Sequence, residues 1–249
     1  MKFSVCTDAV FAGTNLVEAM KNVKSCGINA IEFWSWWDKD IERINAARRE
    51  IDMTIAAMCT KFISLTNPLQ RENYKESLAK TIQIALKLGC KRIITQVGDD
   101  TKLPREEQRQ SIIEGLTQCA GMLEDAEITL VIEPLNTKID HAGYYLWSSE
   151  EGVGIINEIN SPCVKLLYDF YHQYIMGEDI IQSSAKMFDS IGHFHAAGYP
   201  GRHELDVGEI DYEAVFKALA EKDYKGFVGL EYFSSHDACE GLKKLMSIF

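Results

Sequence analysis

Eight short, nearly unbroken apolar runs alternate with segments of helical periodicity along the whole chain, and that alternation limits the fold more than any other feature. The runs predict strands over Lys2–Cys6, Ala30–Phe33, Thr54–Met58, Arg92–Gln96, Thr129–Glu133, Lys165–Asp169, Ile191–His195 and Phe227–Glu231. A strand with one wet face alternates apolar and polar residues. A continuous apolar run is what a strand covered on both faces requires. Between the runs, Ile112, Leu116, Cys119 and Leu123 fall on one helical stripe, as do Tyr212, Val215, Phe216 and Leu219. Thr14, Ser149 and Asp211 stand where helix N-caps are needed. Gly27, Gly89 and Gly226 stand where a return from helix to strand needs a positive φ. Eight strands in strict alternation with eight helices imply a parallel sheet.

The 249 residues match one (β/α)8 TIM barrel, read as a single domain over 1–249, with no low-complexity or Pro-rich linker to divide it. Closure into a barrel is favoured over an open doubly wound sheet because no G-x-G-x-x-G follows the first strand. The placement of the acidic residues adds to this. Glu133, Asp169, His195 and Glu231 each end an apolar run, one βα unit after another. In a closed parallel barrel, consecutive strand ends meet at one mouth. The loops after the fifth and seventh strands, PLNTKIDHAGYYLWSSEE and AAGYPGRHELDVGEID, are long for a barrel, as loops that build a site often are.

Three carboxylates and one imidazole form a donor set for a single divalent cation. Oxygen-rich ligation with one nitrogen favours Mn²⁺, Mg²⁺ or Co²⁺, with Zn²⁺ also compatible. For any one of these residues the plain alternative is a carboxylate that only caps the next helix. Four at corresponding places argue against that alternative. Glu32, at the end of the second strand, is a further substrate-side candidate, with a structural salt bridge as its equal alternative. His172, three residues after Asp169, suits a substrate contact or proton relay. His193 is expected behind the barrel wall, hydrogen-bonded and inert, on the opposite face from His195. Arg202 follows a Pro-Gly turn, and its planar guanidinium suits a substrate carboxylate. Asn136 and His141 are weaker substrate candidates. Trp34, Trp36 and Trp37 either wall a pocket or cover an oligomer contact.

Charge and cysteine usage narrow the partners. With 26 Lys and Arg against 37 Asp and Glu, the net charge is −11, which opposes nucleic acid and anionic membranes as partners. No apolar stretch approaches the roughly 20 residues of a membrane span. The first residues read as a strand rather than a signal segment. Seven scattered cysteines without a C-x-x-C pair suit a reduced, cytoplasmic protein. The expected partner is a small molecule. A homo-oligomer is left open.

The stretches IEPLNTKIDHAGYYL, VKLLYDFYHQYIM, IGHFHAAGYPGRHELDVGEIDY and GFVGLEYF are long and ordered. Through them, and over essentially its whole length, the chain resembles the hydroxypyruvate isomerase family of the xylose isomerase-like barrels. The resemblance implies one divalent metal on Glu133, Asp169, His195 and Glu231, with Glu133 and Glu231 as an acid/base pair. It also implies substrate contacts at His172 and Arg202. His195 stands where some hydroxypyruvate isomerases carry Gln and sugar epimerases carry His, so it bears on the substrate. The expected reaction interconverts aldehyde and keto forms of a small hydroxy-carbonyl acid through an enediolate. The acid would be of the hydroxypyruvate/tartronate semialdehyde or 2-oxo-tetronate type. A ketose 3-epimerase acting on a free sugar is the nearest alternative. An endonuclease IV-like metal nuclease and a non-catalytic ligand-binding barrel stand further off. Such a reaction requires the two glutamates to differ in proton affinity.

Overall fold

In the computed structural model, which describes residues 1–248, eight parallel strands close into a barrel in the order β1 to β8. They are β1 Lys2–Cys6, β2 Ala30–Phe33, β3 Thr54–Cys59, β4 Arg92–Thr95, β5 Thr129–Ile132, β6 Val164–Asp169, β7 Ile191–Ala196 and β8 Phe227–Leu230. Closure is made by β1 on β8, where Lys2 pairs with Phe227 and Val5 with Leu230. Each strand begins where the apolar run predicts or within one residue of it. Glu133 and Glu231 lie one residue beyond the ends of β5 and β8, at the start of their loops. The apolar runs are continuous because one face of each strand packs on helices while the other fills the interior. Val131 and Leu167, for example, pack with Ala57, Cys59 and Ile94 inside the barrel.

The helices are α1 Thr7–Val10, α2 Leu16–Ser25, α3 Ile41–Glu50, α4 Arg71–Leu88, α5 Arg105–Ala126, α6 Ser149–Ile159, α7 Phe170–Met176, α8 Ile180–Lys186, α9 Tyr212–Glu221 and α10 Ala238–Ile248. Ten rather than eight appear among the described residues because two βα connections are split. A one-turn α1 follows β1, and α7 and α8 share the crossover from β6 to β7. The stripes on α5 and α9 are buried as their spacing requires. Asp211 caps α9 as expected, while the caps of α2 and α6 are Asn15 and Ser148, each one residue from the expected Thr14 and Ser149. Gly27 and Gly89 do take positive φ, at 86° and 66°. Gly226 does not. In its return to β8 the left-handed residue is Asp223, at φ 55°. Gly226 is needed instead for space, since a Cβ there would lie 2.3 Å from the Tyr224 hydroxyl oxygen. All seven cysteines are free thiols. No described helix is long and apolar enough to cross a membrane.

The loop from β7 to α9 folds back on itself, with Gly198 and His203 exchanging backbone hydrogen bonds of 2.8 and 3.2 Å. Tyr212 pins its base by bonding both the N–H and the carbonyl of Ala197. Glu204 is buried and accepts from the Ser235 N–H and hydroxyl, joining this loop to the one after β8. Gly208 closes the loop at φ 111°, where a Cβ would sit 2.1 Å from the Tyr199 carbonyl oxygen. Gly208→Ala is therefore expected to cost about 1–3 kcal/mol of stability. A urea titration would show it as a lowered midpoint, and an unchanged midpoint would mean that the loop is not part of the cooperative fold.

Candidate metal centre and substrate pocket

Closure of the barrel brings Glu133, Asp169, His195 and Glu231 together, from the ends of four consecutive strands. One donor atom from each lies within 4.8 Å of the others. All four residues are buried, none more than 6% exposed. Asp169 serves two purposes. Its Oδ1 caps α7, accepting from the N–H groups of Tyr171 at 2.8 Å and His172 at 3.3 Å. Its Oδ2 has no hydrogen-bond partner. The helix-capping reading and the ligand reading are thus both satisfied, one by each oxygen. His195 pairs with Asp169 in strand register. Its Nδ1 approaches Glu231 at 3.4 Å and Glu133 at 3.7 Å without hydrogen-bond geometry. Glu133 Oε1 is likewise without a partner.

Buried polar atoms are nearly always bonded, because an unpaired one keeps its full desolvation cost. Three such atoms on three of the four clustered residues are the donor pattern of a cation site, and the set fits a divalent ion. A second group, Glu32 with His193 and His195, also has closely spaced donor atoms. Those atoms satisfy one another instead, at hydrogen-bond distances of 2.8 and 2.9 Å, so that group is not a cation site.

Glu231 is the most heavily bonded member. The Trp34 indole donates to its Oε1 at 2.6 Å, and Arg202 Nη2 donates to its Oε2. Arg202 is turned inward because its carbonyl accepts from the Phe233 N–H and its own φ is 57°. A loop arginine is ordinarily solvated, but this side chain is 11% exposed and lines the pocket. These contacts split the proton affinities of the two glutamates. Burial would raise Glu231, but His195 and Arg202 outweigh it and hold that carboxyl well below the usual range. Burial dominates at Glu133 and raises it. Burial also pushes Asp169 up to about 7, although Arg202 and His195 oppose the shift. His195 runs the other way: burial opposes its charge, yet Glu231 and Glu32 keep it protonated well above the ordinary imidazole range.

His172 stands in the first turn of α7 and faces the same space. Burial and nearby Arg202 hold it neutral. Its tautomer follows from Asn136. The Asn136 Oδ1 accepts from the N–H groups of Ile139 and Asp140, which leaves its amide nitrogen to donate to His172 Nδ1 at 2.7 Å. The imidazole proton therefore sits on Nε2, an atom with no hydrogen-bond partner, 3.5 Å from Asp169 Oδ2. Asn136 is wholly buried and acts through His172 rather than lining the cavity.

The cavity above the quartet has a volume of about 410 Å³, walled by Trp34, Phe62, Leu135 and Phe233, with Gln96, Asp140 and His141 as further polar lining. Trp34 is thus a pocket wall, whereas Trp36 bonds Thr81 and Trp37 packs on Phe62. Phe62, Asp140 and Phe233 carry no strand-end pattern and were not legible as lining residues, whereas Gln96 ends the fourth apolar run but was not singled out. A cavity of about 350 Å³ at the opposite end of the barrel has Lys2 as the one ionisable residue of its described lining.

Besides Asn136, expected at the substrate and found behind His172, two sequence expectations are corrected. Glu32 does not reach the cavity. Its carboxylate is buried one layer below, held by Ser4, His193 and His195. His193 is not behind the wall. Residues two apart on a strand share a face, so His193 points into the barrel beside His195, with ring centroids 5.1 Å apart. That it is hydrogen-bonded holds.

The sequence matches the family model described as xylose isomerase-like TIM barrel over residues 20–248. It is 28% identical to the hydroxypyruvate isomerase of Escherichia coli, over 93% of each chain. It is 30% identical to the 2-oxo-tetronate isomerase of Cupriavidus necator, over 66% of this chain and 64% of that one. Among solved structures, one described as an AP endonuclease, family 2, from Brucella melitensis superposes with a TM-score of 0.94 at 25% identity, covering 99% of this chain and 98% of that one. The closed barrel, the quartet at its mouth and these matches together place the chain in the xylose isomerase-like TIM barrel family, with the hydroxypyruvate isomerases.

Proposed function

We propose that the protein is a divalent-metal-dependent isomerase that interconverts the aldehyde and keto forms of a small hydroxy-carbonyl acid, of the hydroxypyruvate or 2-oxo-tetronate type. The observation that carries the reading is the buried quartet with its three unpartnered donor atoms, next to an arginine turned into the cavity. Glu133, Asp169, His195 and Glu231 would hold the ion, with Mn²⁺, Mg²⁺ or Co²⁺ favoured by the oxygen-rich set. Bound there, a divalent cation supplies Lewis acidity toward an adjacent pair of carbonyl and hydroxyl oxygens.

The chain's own residues do the remaining work. Arg202 receives the substrate carboxylate. Its Nε and Nη2 are engaged with Glu231, so the carboxylate is met by Nη1 or by an exchange of partners. His172 donates a hydrogen bond from its Nε2–H to a substrate oxygen. One glutamate takes the proton from the carbon bearing the hydroxyl, the hydroxyl proton passes to the former carbonyl oxygen, and the other glutamate returns a proton to the neighbouring carbon. The opposite shifts of Glu133 and Glu231 support this, because a two-carboxyl relay needs one ionised and one protonated member. A carboxylate facing a cation is a weaker base. With an ion bound, each glutamate would need one oxygen free for proton transfer, and for Glu231 this would require release from Trp34 or Arg202. The apolar walls exclude water around the developing negative charge.

A ketose 3-epimerase would run the same two glutamates on a single carbon. Arg202 favours the acid, since a neutral sugar offers no anion to a guanidinium that lines the cavity. A nuclease reading is opposed by the net charge of −11.

Chelation is expected to abolish isomerase activity and added Mn²⁺, Mg²⁺ or Co²⁺ to restore it; full turnover in a sample shown free of metal by elemental analysis would overturn the mechanism. Glu231→Gln should lower kcat by roughly 10²–10⁴-fold with an unchanged circular dichroism spectrum. A near-normal kcat would remove Glu231 from proton transfer. Arg202→Ala should raise KM for carboxylated substrates by roughly 10- to 100-fold, the worth of a charged hydrogen bond of about 1.5–3 kcal/mol. An equal rise for neutral ketoses would show that no carboxylate binds there.

A further inference from the structure

The quartet rests on a second buried layer that the proposed chemistry does not use. In strand register, Asp169 of β6 pairs with His195 of β7, His195 with Gly229 of β8, and Gly229 with Ser4 of β1. The two middle strands thus place their smallest residues between His195 and β2. Glu32 of β2 extends into that gap and accepts from His195 Nε2 at 2.9 Å on Oε2. Its Oε1 accepts from His193 Nε2 at 2.8 Å and from the Ser4 hydroxyl. The gap is fully used. A Cβ on Gly229 would lie 2.6 Å from His195 Cδ2 and 2.7 Å from Glu32 Oε1. Ser4, Glu32, His193 and His195 are each 1% exposed or less.

An ionised carboxylate only accepts hydrogen bonds, so both imidazoles present Nε2–H to Glu32. For His195 that leaves Nδ1 as the atom facing Glu133 and Glu231. We propose that Glu32, clamped between His193 and Ser4, is the positioning residue of the metal site. It fixes the ring angle of His195 and reserves Nδ1 as the nitrogen that gives up its proton and becomes the ligand atom when a cation binds. The proposal rests on the metal-dependent reading above. His193 and Ser4 matter because they saturate Oε1. With that oxygen occupied from two sides, the carboxylate cannot rotate, and Oε2 stays on His195. A ligating imidazole whose other nitrogen donates to a carboxylate is also a better electron donor, and removing such partners weakens metal binding by roughly 10- to 100-fold.

The test is calorimetric titration of the full chain with Mn²⁺, set beside urea unfolding in the presence of a chelator. Glu32→Gln is expected to raise the Mn²⁺ Kd by about 10- to 100-fold and to shrink the Mn²⁺-induced rise in Tm. At saturating Mn²⁺ its kcat should return toward that of the parent. A purely structural role would lower stability in chelator and leave the Kd unchanged. A folded Glu32→Gln protein with a Kd within about twofold of the parent overturns the proposal. Glu32→Asp keeps the charge between the two imidazoles but falls one methylene short of spanning them, so it stands in if the Gln variant does not fold. Its Kd is expected to rise by about tenfold. Failure of both variants to fold would assign Glu32 to the scaffold and overturn the proposal. Absence of Mn²⁺ binding to the parent chain would overturn the metal-dependent reading as well, whereas parent-like binding by the variants would overturn this proposal alone.

Discussion

Three carboxylates buried at one end of a barrel are the constraint around which the site is arranged. Glu133, Asp169 and Glu231 sit with His195 so closely that their donor atoms lie within 4.8 Å of one another. Ions taken out of water cost several kcal/mol each unless they are paired. Cationic and polar partners meet that cost. His195 stands among the carboxylates, Arg202 reaches Glu231 from the loop after β7, and the Trp34 indole donates to Glu231 from the loop after β2. The compensation is uneven. It holds Glu231 ionised and leaves Glu133 and Asp169 shifted upward. A divalent cation would complete the balance, and the unpartnered atoms of Glu133, Asp169 and His195 face the place where it would do so.

The same constraint explains the scaffolding beyond the quartet. A cation site would need its donors held at fixed angles, and here two of the four clustered residues, with His172 beside them, are held from behind. Asp169 is fixed by capping α7, His195 by Glu32, and His172 by Asn136. Asn136 is in turn fixed by two backbone N–H donors of its own loop. The loop that carries Arg202 is pinned by Tyr212 and joined by Glu204 to the loop after β8. Rigid support of this kind holds a flexible loop side chain such as Arg202 in one place, which would lower the entropic cost of binding a ligand there.

Several features were legible in the chain because their signals are local. The barrel follows from eight continuous apolar runs, since only strands covered on both faces tolerate such runs. The quartet follows from recurrence at strand ends, and Arg202 from a turn beside it. Other features have no local signal. Phe62, Asp140 and Phe233 enter the cavity from separate loops, and no periodicity ties them to the strands they border. Glu32 ends its apolar run as the quartet residues do, yet it lies a layer below them. Its depth depends on which neighbouring strands carry Gly229 and Ser4.

By itself the sequence determined the class of fold, the strand limits to within a residue or so and the identity of the acidic and imidazole groups at the mouth, because these depend on hydrophobic period and residue type. The tertiary structure decided which of those groups face the cavity and which stand behind them. It turned Arg202 inward, gave Glu231 two hydrogen-bond donors and set Glu133 apart from it in proton affinity. It also put His193 and His195 on one carboxylate. These outcomes arise from register and closure, which bring residues far apart in the chain within hydrogen-bond distance. No pattern along one strand records where its neighbours' side chains end.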